Sequence, residues 1–168
     1  PRQGLITSDA SRVVFGLKGE TGFKDWTYDM SYTHGKTNSV EFWINDFFAP
    51  SLVEAIETDA GGYDVFEYQG VTPEQAADMG VIGGMVGTNI AKGLGGFITG
   101  STDIKLPSAS DSMSFVLGFE TREYTYDRTP DSAYANGTIL GFGGAITPIS
   151  GTIEVDKTVC ELLSGFRD

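Results

Sequence analysis

The stretch that decides the fold is Trp26–Thr33, which reads Trp-Thr-Tyr-Asp-Met-Ser-Tyr-Thr. Large side chains at Trp26, Tyr28, Met30 and Tyr32 alternate with small or polar ones. Successive side chains of an extended strand point to opposite faces, so this period of two predicts a strand with one apolar and one polar side. A helix would repeat its apolar positions every three or four residues instead.

Similar alternation recurs along the chain, less cleanly than in the first stretch. It predicts about five long strands, near residues 11–20, 25–37, 88–106, 112–127 and 152–166. The predicted strands are longer than the ~5–6 residues of an ordinary globular strand. A strand that crosses an outer membrane needs ~9–11 residues. Strand length therefore favours a membrane β-protein.

The connections between these strands alternate in length. Short turns are expected at Thr21–Asp25 and Pro107–Asp111, and long loops at 38–87 and 128–151. Short turns at one end and long loops at the other are typical of transmembrane barrels. We therefore predict an all-β fold, an antiparallel up-and-down meander that forms one partial barrel domain over residues 1–168. This meander is interpreted as an open segment of a transmembrane β-barrel.

The first long loop carries two helix signals. Pro50–Glu57 reads as a short amphipathic helix. Thr72 precedes Pro73 and stands three residues before Gln75, the spacing of a capping box with proline at the first helical position. This second helix is expected to end at Gly80.

Composition excludes several classes of protein. Eleven Lys and Arg against 23 Asp and Glu give a net charge of −12, which repels nucleic acid. The sequence has no apolar run of 18 residues, so it predicts no membrane-spanning helix. Cys160 is the single cysteine, which excludes a disulfide framework and a cysteine-rich zinc site. Because the chain begins at Pro1, it is expected to be a processed product or an excised fragment.

The sequence contains no recognisable set of catalytic residues. His34 is the single histidine, and no Gly-x-Ser-x-Gly nucleophile motif is present. Glu120 and Glu123 have opposite parity on a strand, so they cannot converge as the acid and base of a glycosidase. The glycine-rich stretches lack the Gly-Lys-Ser/Thr ending of a phosphate loop. We predict no catalytic residue, no metal site and no cofactor, and a protein that is not an enzyme.

Nine short motifs occur in an order and spacing that resemble the barrels of TonB-dependent outer-membrane receptors. They are Gly16–Glu20, Trp26–Thr37, Thr72–Glu74, Leu106–Pro107, Val116–Glu123, Thr129–Ser132, Asn136–Gly137, Gly141–Gly144 and Val155–Leu162. Each motif is short, and the resemblance that they carry extends over nearly the whole chain, from Gly16 to Leu162. The resemblance implies a barrel that in the complete family has about 22 strands, so this chain would be an internal piece that does not transport alone.

The resemblance implies a function for the parent protein in the bacterial outer membrane. That function is TonB-energised uptake of a scarce nutrient, such as a siderophore, a cobalamin-like compound or an oligosaccharide. The implied partners are outer-membrane lipid, the small ligand, and TonB with its inner-membrane partners. TonB would act through an N-terminal plug and TonB box that these residues do not include.

Three groups of residues are candidates for functional contacts. Trp26, Tyr28 and Tyr32 suit a membrane interface, and Glu120 and Arg122 share the strand face expected to line the lumen. Ligand contacts are expected from exposed types on the long loops: Trp43, Phe47, Phe48, Tyr63, Tyr68, Asp127, Arg128, Asp131 and Tyr134.

Two other classes remain open. A secreted soluble β-sandwich, such as a carbohydrate-binding module, would pack its apolar strand faces against each other. A glycosidase is the third possibility, against which the single His34 and the divergent carboxylates argue.

Overall fold

Five antiparallel strands, each hydrogen-bonded to the next along the chain, form one open sheet. The computed structural model describes residues 2–58, 66–68 and 70–163. The strands are β1 (Gln3–Glu20), β2 (Thr27–Phe47), β3 (Gly80–Ser101), β4 (Ser114–Pro130) and β5 (Ile149–Leu163). Their order in the sheet, β1-β2-β3-β4-β5, is that of an up-and-down meander. The predicted all-β fold with five antiparallel strands is confirmed.

The strands begin and end at different residues from those predicted. β1 starts at Gln3 rather than near residue 11, and β2 continues to Phe47 rather than ending near residue 37. β3 is displaced toward the N-terminus, from 88–106 to Gly80–Ser101. β4 is displaced from 112–127 to Ser114–Pro130. β5 occupies Ile149–Leu163 instead of 152–166, of which 164–166 lie outside the described residues.

The two long connections are therefore shorter than predicted, because β2 and β3 extend into the first and β4 and β5 extend into the second. Around the first connection, the alternation of apolar and polar residues that predicts a strand fails for physical reasons. Asn45 adopts a positive φ of 60° in β2, as at a bulge that breaks regular pairing. In β3, Gly83 and Gly84 leave space for side chains of other elements. A Cβ at Gly83 would lie 2.5 Å from Cε2 of Tyr134, and one at Gly84 would lie 2.9 Å from Cε1 of Phe42.

The helices in the first long connection agree with the predicted ones. They are α1 (Ala49–Thr58) and α2 (Pro73–Asp78). The Thr72 hydroxyl accepts the Gln75 N–H at 3.3 Å, and the Gln75 side chain accepts the Thr72 N–H at 2.8 Å. This is the predicted capping box. A third helix, α3 (Ser132–Ala135), was not predicted.

The chain divides into two compact units. The first contains the start of β1, Thr37–Thr88 and Tyr126–Gly151. Its core is a buried cluster of Met85, Tyr134 and Ile139, packed against partly buried residues that include Trp43 and Phe142. The core of this unit is therefore built from β2, β3 and the connection after β4.

The second unit contains Ala10–Lys36, Asn89–Thr125 and the chain from Thr152 onward. It consists of sheet and of two short connections. The turn between β1 and β2 is closed by a hydrogen bond from the Thr21 N–H to the Trp26 carbonyl. Beyond β3, Thr102 and Met113 continue the pairing with an N–H to carbonyl bond of 2.8 Å. The first connection is a tight turn, as predicted. The second runs from residue 102 to residue 113 and is longer than the predicted turn at Pro107–Asp111, because β3 ends at Ser101 and β4 begins at Ser114.

Candidate functional site

One face of the sheet in the second unit, here called the apolar face, carries large uncharged side chains. A shallow cleft of about 390 Å³ on this face is lined by Tyr28, Met30, Ile98, Leu117 and Phe119, among others. Met30 is 40 % exposed, Leu117 43 % and Phe119 42 %. A single sheet covers only one side of these residues, so their outer surfaces remain open.

Two glycines of β3 shape this face by leaving room for neighbouring side chains. A Cβ at Gly100 would lie 2.5 Å from Cδ1 of Trp26, and a Cβ at Gly96 would lie 2.8 Å from Cγ of Met30. The indole of Trp26 reaches across Gly100 toward Phe115, with ring centres 6.1 Å apart. The side chains of Met30 in β2 and of Trp26, which immediately precedes β2, thus occupy the space left by the two glycines of β3.

A charged pair lies at one end of the apolar face. Lys92 has the same parity in β3 as Ile98, and Glu123 has the same parity in β4 as Phe119. The Lys92 Nζ lies 2.7 Å from Oε1 of Glu123. Both side chains are partly exposed, at 46 % and 36 %.

The opposite face, here called the polar face, has a cleft of about 450 Å³. Its lining includes Arg12, Ser31, Thr33, Glu120 and Arg122. Glycines of β3 form part of the floor. A Cβ at Gly93 would lie 3.8 Å from the Arg122 side chain, and one at Gly95 would lie 3.8 Å from that of Glu120.

The structure brings the two predicted lumen-facing residues together. The Arg122 Nε donates to Oε1 of Glu120 at 2.7 Å, and a second contact joins Nη2 to the same oxygen. Glu123 pairs with Lys92 on the other face. The prediction that Glu120 and Glu123 diverge is therefore confirmed, while a position in a barrel lumen stays a prediction.

The three predicted interface aromatics share the apolar face. The Trp26 Nε1 donates a hydrogen bond of 3.0 Å to the carbonyl of Ser101. Tyr28 lines the cleft described above, and Tyr32 is 40 % exposed. Their common face is a finding, and their contact with a membrane stays a prediction.

Several predicted ligand contacts instead pack within the first unit. Tyr134 is 1 % exposed, and its ring meets that of Phe142 edge-on, with centres 4.8 Å apart. Trp43 also packs on Phe142, with centres 6.2 Å apart. The carboxylate of Asp131 accepts the N–H groups of Tyr134 and Gly84. The side chains of these three residues therefore stabilise the connection between β4 and β5, two by ring packing and Asp131 by hydrogen bonding.

The remaining candidates differ in their access to solvent. The Arg128 Nη2 lies 3.6 Å from Oε2 of Glu41. The Phe48 N–H donates a hydrogen bond to the carbonyl of Met79. Exposed side chains, by contrast, belong to Phe47, Tyr68 and Asp127, with Tyr68 at 90 %. Tyr63 lies outside the described residues. Ligand contact stays a prediction for the accessible members of this set.

Sequence reasoning missed an ion pair in the first unit. Asp46 is 2 % exposed, and its Oδ2 lies 2.9 Å from Nη2 of Arg2. The guanidinium carbon of Arg2 is 5.2 Å from the ring centres of both Trp43 and Phe142. A buried carboxylate needs a partner of opposite charge, and aromatic faces attract the cation. No local pattern links Arg2 with Asp46, so the sequence carried no signal for this pair.

The described ranges contain no group of three or more His, Cys, Asp or Glu placed to hold a metal ion. Nor does any helix among these residues have the length and apolar character needed to cross a membrane. Comparison of the chain with protein-family models, with curated proteins and with solved structures finds no match in any of the three.

Proposed function

We propose that this chain is part of the barrel wall of a bacterial outer-membrane receptor for TonB-energised nutrient uptake. The observation that carries the proposal is the contrast between the two faces of the sheet in the second unit. Met30, Leu117 and Phe119 are exposed on one face, and the Glu120–Arg122 pair lies on the other.

An exposed apolar face of this kind requires a cover. Contiguous apolar surface is rare on soluble monomers and marks an interaction site. Acyl chains can cover such a face, while a polar face can border water inside a barrel. In a soluble sandwich the cover would be a second sheet, but the described residues form one sheet only.

Strand length and pairing also support a membrane wall. The strands have 15 to 22 residues, more than the ~9–11 that a tilted strand needs to cross the bilayer. Backbone groups in lipid must be paired, and each strand of the meander pairs with its neighbours. The edges β1 and β5 are where further strands of the parent would continue the wall.

The connections differ between the two ends of the strands, which supports a role in ligand binding for one end. A tight turn follows β1, and a connection without a helix, residues 102–113, follows β3, while helix-bearing segments follow β2 and β4. In the proposed receptor the long segments face the outside and contribute to binding of a chelate or sugar. Transport itself belongs to the parent, whose plug would transmit energy from TonB.

Membrane fractionation of the full natural product tests this proposal. We expect an epitope-tagged product to sediment with the outer membrane, to need detergent for extraction, and to migrate differently on gels before and after heating. Deletion of its gene should abolish uptake of one scarce nutrient, and deletion of TonB should have the same effect. A product that stays monodisperse without detergent would overturn the proposal in favour of a secreted β-sandwich.

The sequence that flanks the chain provides an independent test. We expect a plug-like domain encoded upstream of Pro1 and further alternating strands encoded downstream of Asp168. Stop codons close to both positions would contradict the proposal.

A further inference from the structure

We infer that the lipid-contacting band on β2, β3 and β4 is bounded by two specific rows of residues. One row is Trp26, Gly100 and Phe115, and the other is Lys92 and Glu123. The inference rests on the proposed function and deepens it, because it states which part of each strand meets acyl chains and which part meets headgroups.

The first boundary combines an aromatic ring with polar anchors. Trp26 crosses Gly100 and keeps its indole N–H bonded to Ser101. An indole has an apolar body and one polar group, a combination that favours the membrane interface. Immediately beyond this row, charges follow: Asp25 accepts the Ser101 N–H at 3.0 Å, and Lys24 pairs with Asp103.

On β2, β3 and β4 the apolar face carries no charge between the two rows. On the edge strand β5, Asp156 has the same parity as Thr152 and Thr158 and lies opposite Thr121, one outward position from the Lys92–Glu123 row. The outward positions of β3 in this interval are Leu94, Gly96 and Ile98, and those of β4 are Leu117, Phe119 and Thr121. β2 contributes Tyr28, Met30 and Tyr32. The aliphatic and Phe side chains of this interval suit a hydrocarbon environment. Tyr28 and Tyr32 each stand one outward position from a row, which is compatible with hydroxyl groups at the interface.

The second boundary is the Lys92–Glu123 ion pair. A charged side chain on the lipid side of a barrel costs ~2–4 kcal/mol at the bilayer midplane and little near the interface. An ion pair at this position is therefore expected at headgroup level, where the long Lys92 stem can extend toward water. Nine residues of β3 run from Lys92 to Gly100, which agrees with the ~9–11 needed for one crossing.

Charge complementarity identifies the bilayer as the occupant of this face. The band has a neutral middle and rows of paired opposite charges or polar anchors at both ends. A bilayer has the same order, with apolar chains between two charged headgroup layers. A second protein sheet would not require its charges to be confined to two rows separated by one membrane crossing.

Cysteine scanning along β3 tests the two rows in the full natural product, embedded in its membrane. Cys160 and any other native cysteine are first replaced by Ser. A water-soluble maleimide then probes Ile90→Cys, Leu94→Cys and Ile98→Cys, which share one face of the strand. The thiolate is the reactive species and is disfavoured in apolar surroundings. We expect positions 94 and 98 to react at least about tenfold more slowly than position 90.

A second pair of variants keeps the test independent of folding defects in β3. The Lys92–Glu123 pairing sets the register, so Thr121 of β4 lies opposite Leu94 and Thr125 lies opposite Ile90. Thr121→Cys is expected to be protected and Thr125→Cys to react. Unfolding in denaturant should make all five introduced cysteines reactive, and their rates in the unfolded state control for intrinsic differences in thiol reactivity.

The outcomes separate this inference from the proposed function. Protection that extends equally to positions 90 and 125 would overturn the boundary at Lys92 while leaving an outer-membrane protein. Reaction at 94, 98 and 121 in a product that fractionates with the outer membrane would overturn the band itself. A product found in the soluble fraction would overturn the proposed function together with the band.

Discussion

Trp26 covers Gly100: the indole lies where a side chain at position 100 would otherwise stand. A Cβ at Gly100 would lie 2.5 Å from Cδ1 of the ring, and the ring Nε1 donates to the neighbouring Ser101 carbonyl at 3.0 Å. The glycine in β3 and the tryptophan that immediately precedes β2 therefore form one packing unit. The absence of a side chain in one strand permits the position of the largest side chain at the start of its neighbour.

Gly100→Ala is expected to destabilise the sheet by about 1–3 kcal/mol, because the added methyl group forces the Trp26 ring to move. Gly151→Ala is the matched control, since a Cβ there would meet nothing within 4 Å. Denaturant midpoints followed by circular dichroism, in the solvent or detergent that keeps the chain folded, measure both. Equal midpoints for the two variants would contradict the packing unit.

Asp131 is expected to stabilise the first unit by connecting α3 to β3. Its Oδ1 accepts the Tyr134 N–H at 3.0 Å as a helix N-cap, and its Oδ2 accepts the Gly84 N–H at 2.7 Å. Asp131→Ala should cost about 0.5–2 kcal/mol for the cap alone. It should also speed amide hydrogen exchange at Gly84 and Tyr134. Asp131→Asn retains one acceptor oxygen and should lose less. Unchanged exchange at Gly84 in the Ala variant would refute the bridging role.

The features predicted from the sequence are those with a local cause. Alternation over Trp26–Thr33 depends on neighbouring positions, and so does the capping box at Thr72 and Gln75. The shared face of Glu120 and Arg122 follows from a spacing of two residues in a strand. Each of these signals was readable because the interacting groups lie within a few residues of one another.

The features that were missed depend on distant residues. The strand through Gly83 looked like a loop, because the side chain that fills its space, Tyr134, is far away in sequence. Tyr134 itself was expected to be exposed, since it lies in the predicted long loop 128–151. Its burial arises from packing with Phe142 and Ile139. The Arg2–Asp46 pair was invisible for the same reason.

Asp25 is expected to make the turn between β1 and β2 sensitive to acid. Hydrogen bonds from the Ser101 hydroxyl and the Ser101 N–H lower the pKa of Asp25 below its usual 3.8. A carboxyl whose folded pKa is depressed stabilises the fold above its unfolded pKa, and this contribution is lost as the pH falls through the folded value. The window therefore lies below pH 3.8. Ser101→Ala removes the hydroxyl and should move the pKa of Asp25 back up in an NMR titration. A titration midpoint unaffected by Ser101→Ala would contradict the assigned cause.

Tyr134 is expected to limit stability in alkali. Burial, followed by the nearby charge of Asp46, raises the pKa of Tyr134 to about 12. A group whose folded pKa is raised contributes stability fully below its unfolded pKa and loses it as the pH rises through the folded value. Unfolding free energy should therefore fall between pH 10.0 and about 12. Tyr134→Phe should remove that component of the decline.

The same substitution tests the cost of the buried hydroxyl. Within the described residues, the Tyr134 oxygen has no hydrogen-bond partner, so its burial opposes folding. Tyr134→Phe keeps the ring packed on Phe142 and should leave stability near neutral pH unchanged or raise it by up to about 1 kcal/mol. Tyr124→Phe is the control, because the Tyr124 hydroxyl is near the surface and accepts from Arg122 at 3.4 Å. Unfolding midpoints of both variants against pH measure the two effects. A clear loss of stability at neutral pH in Tyr134→Phe would mean that the hydroxyl is satisfied, because only a bonded hydroxyl makes its removal costly.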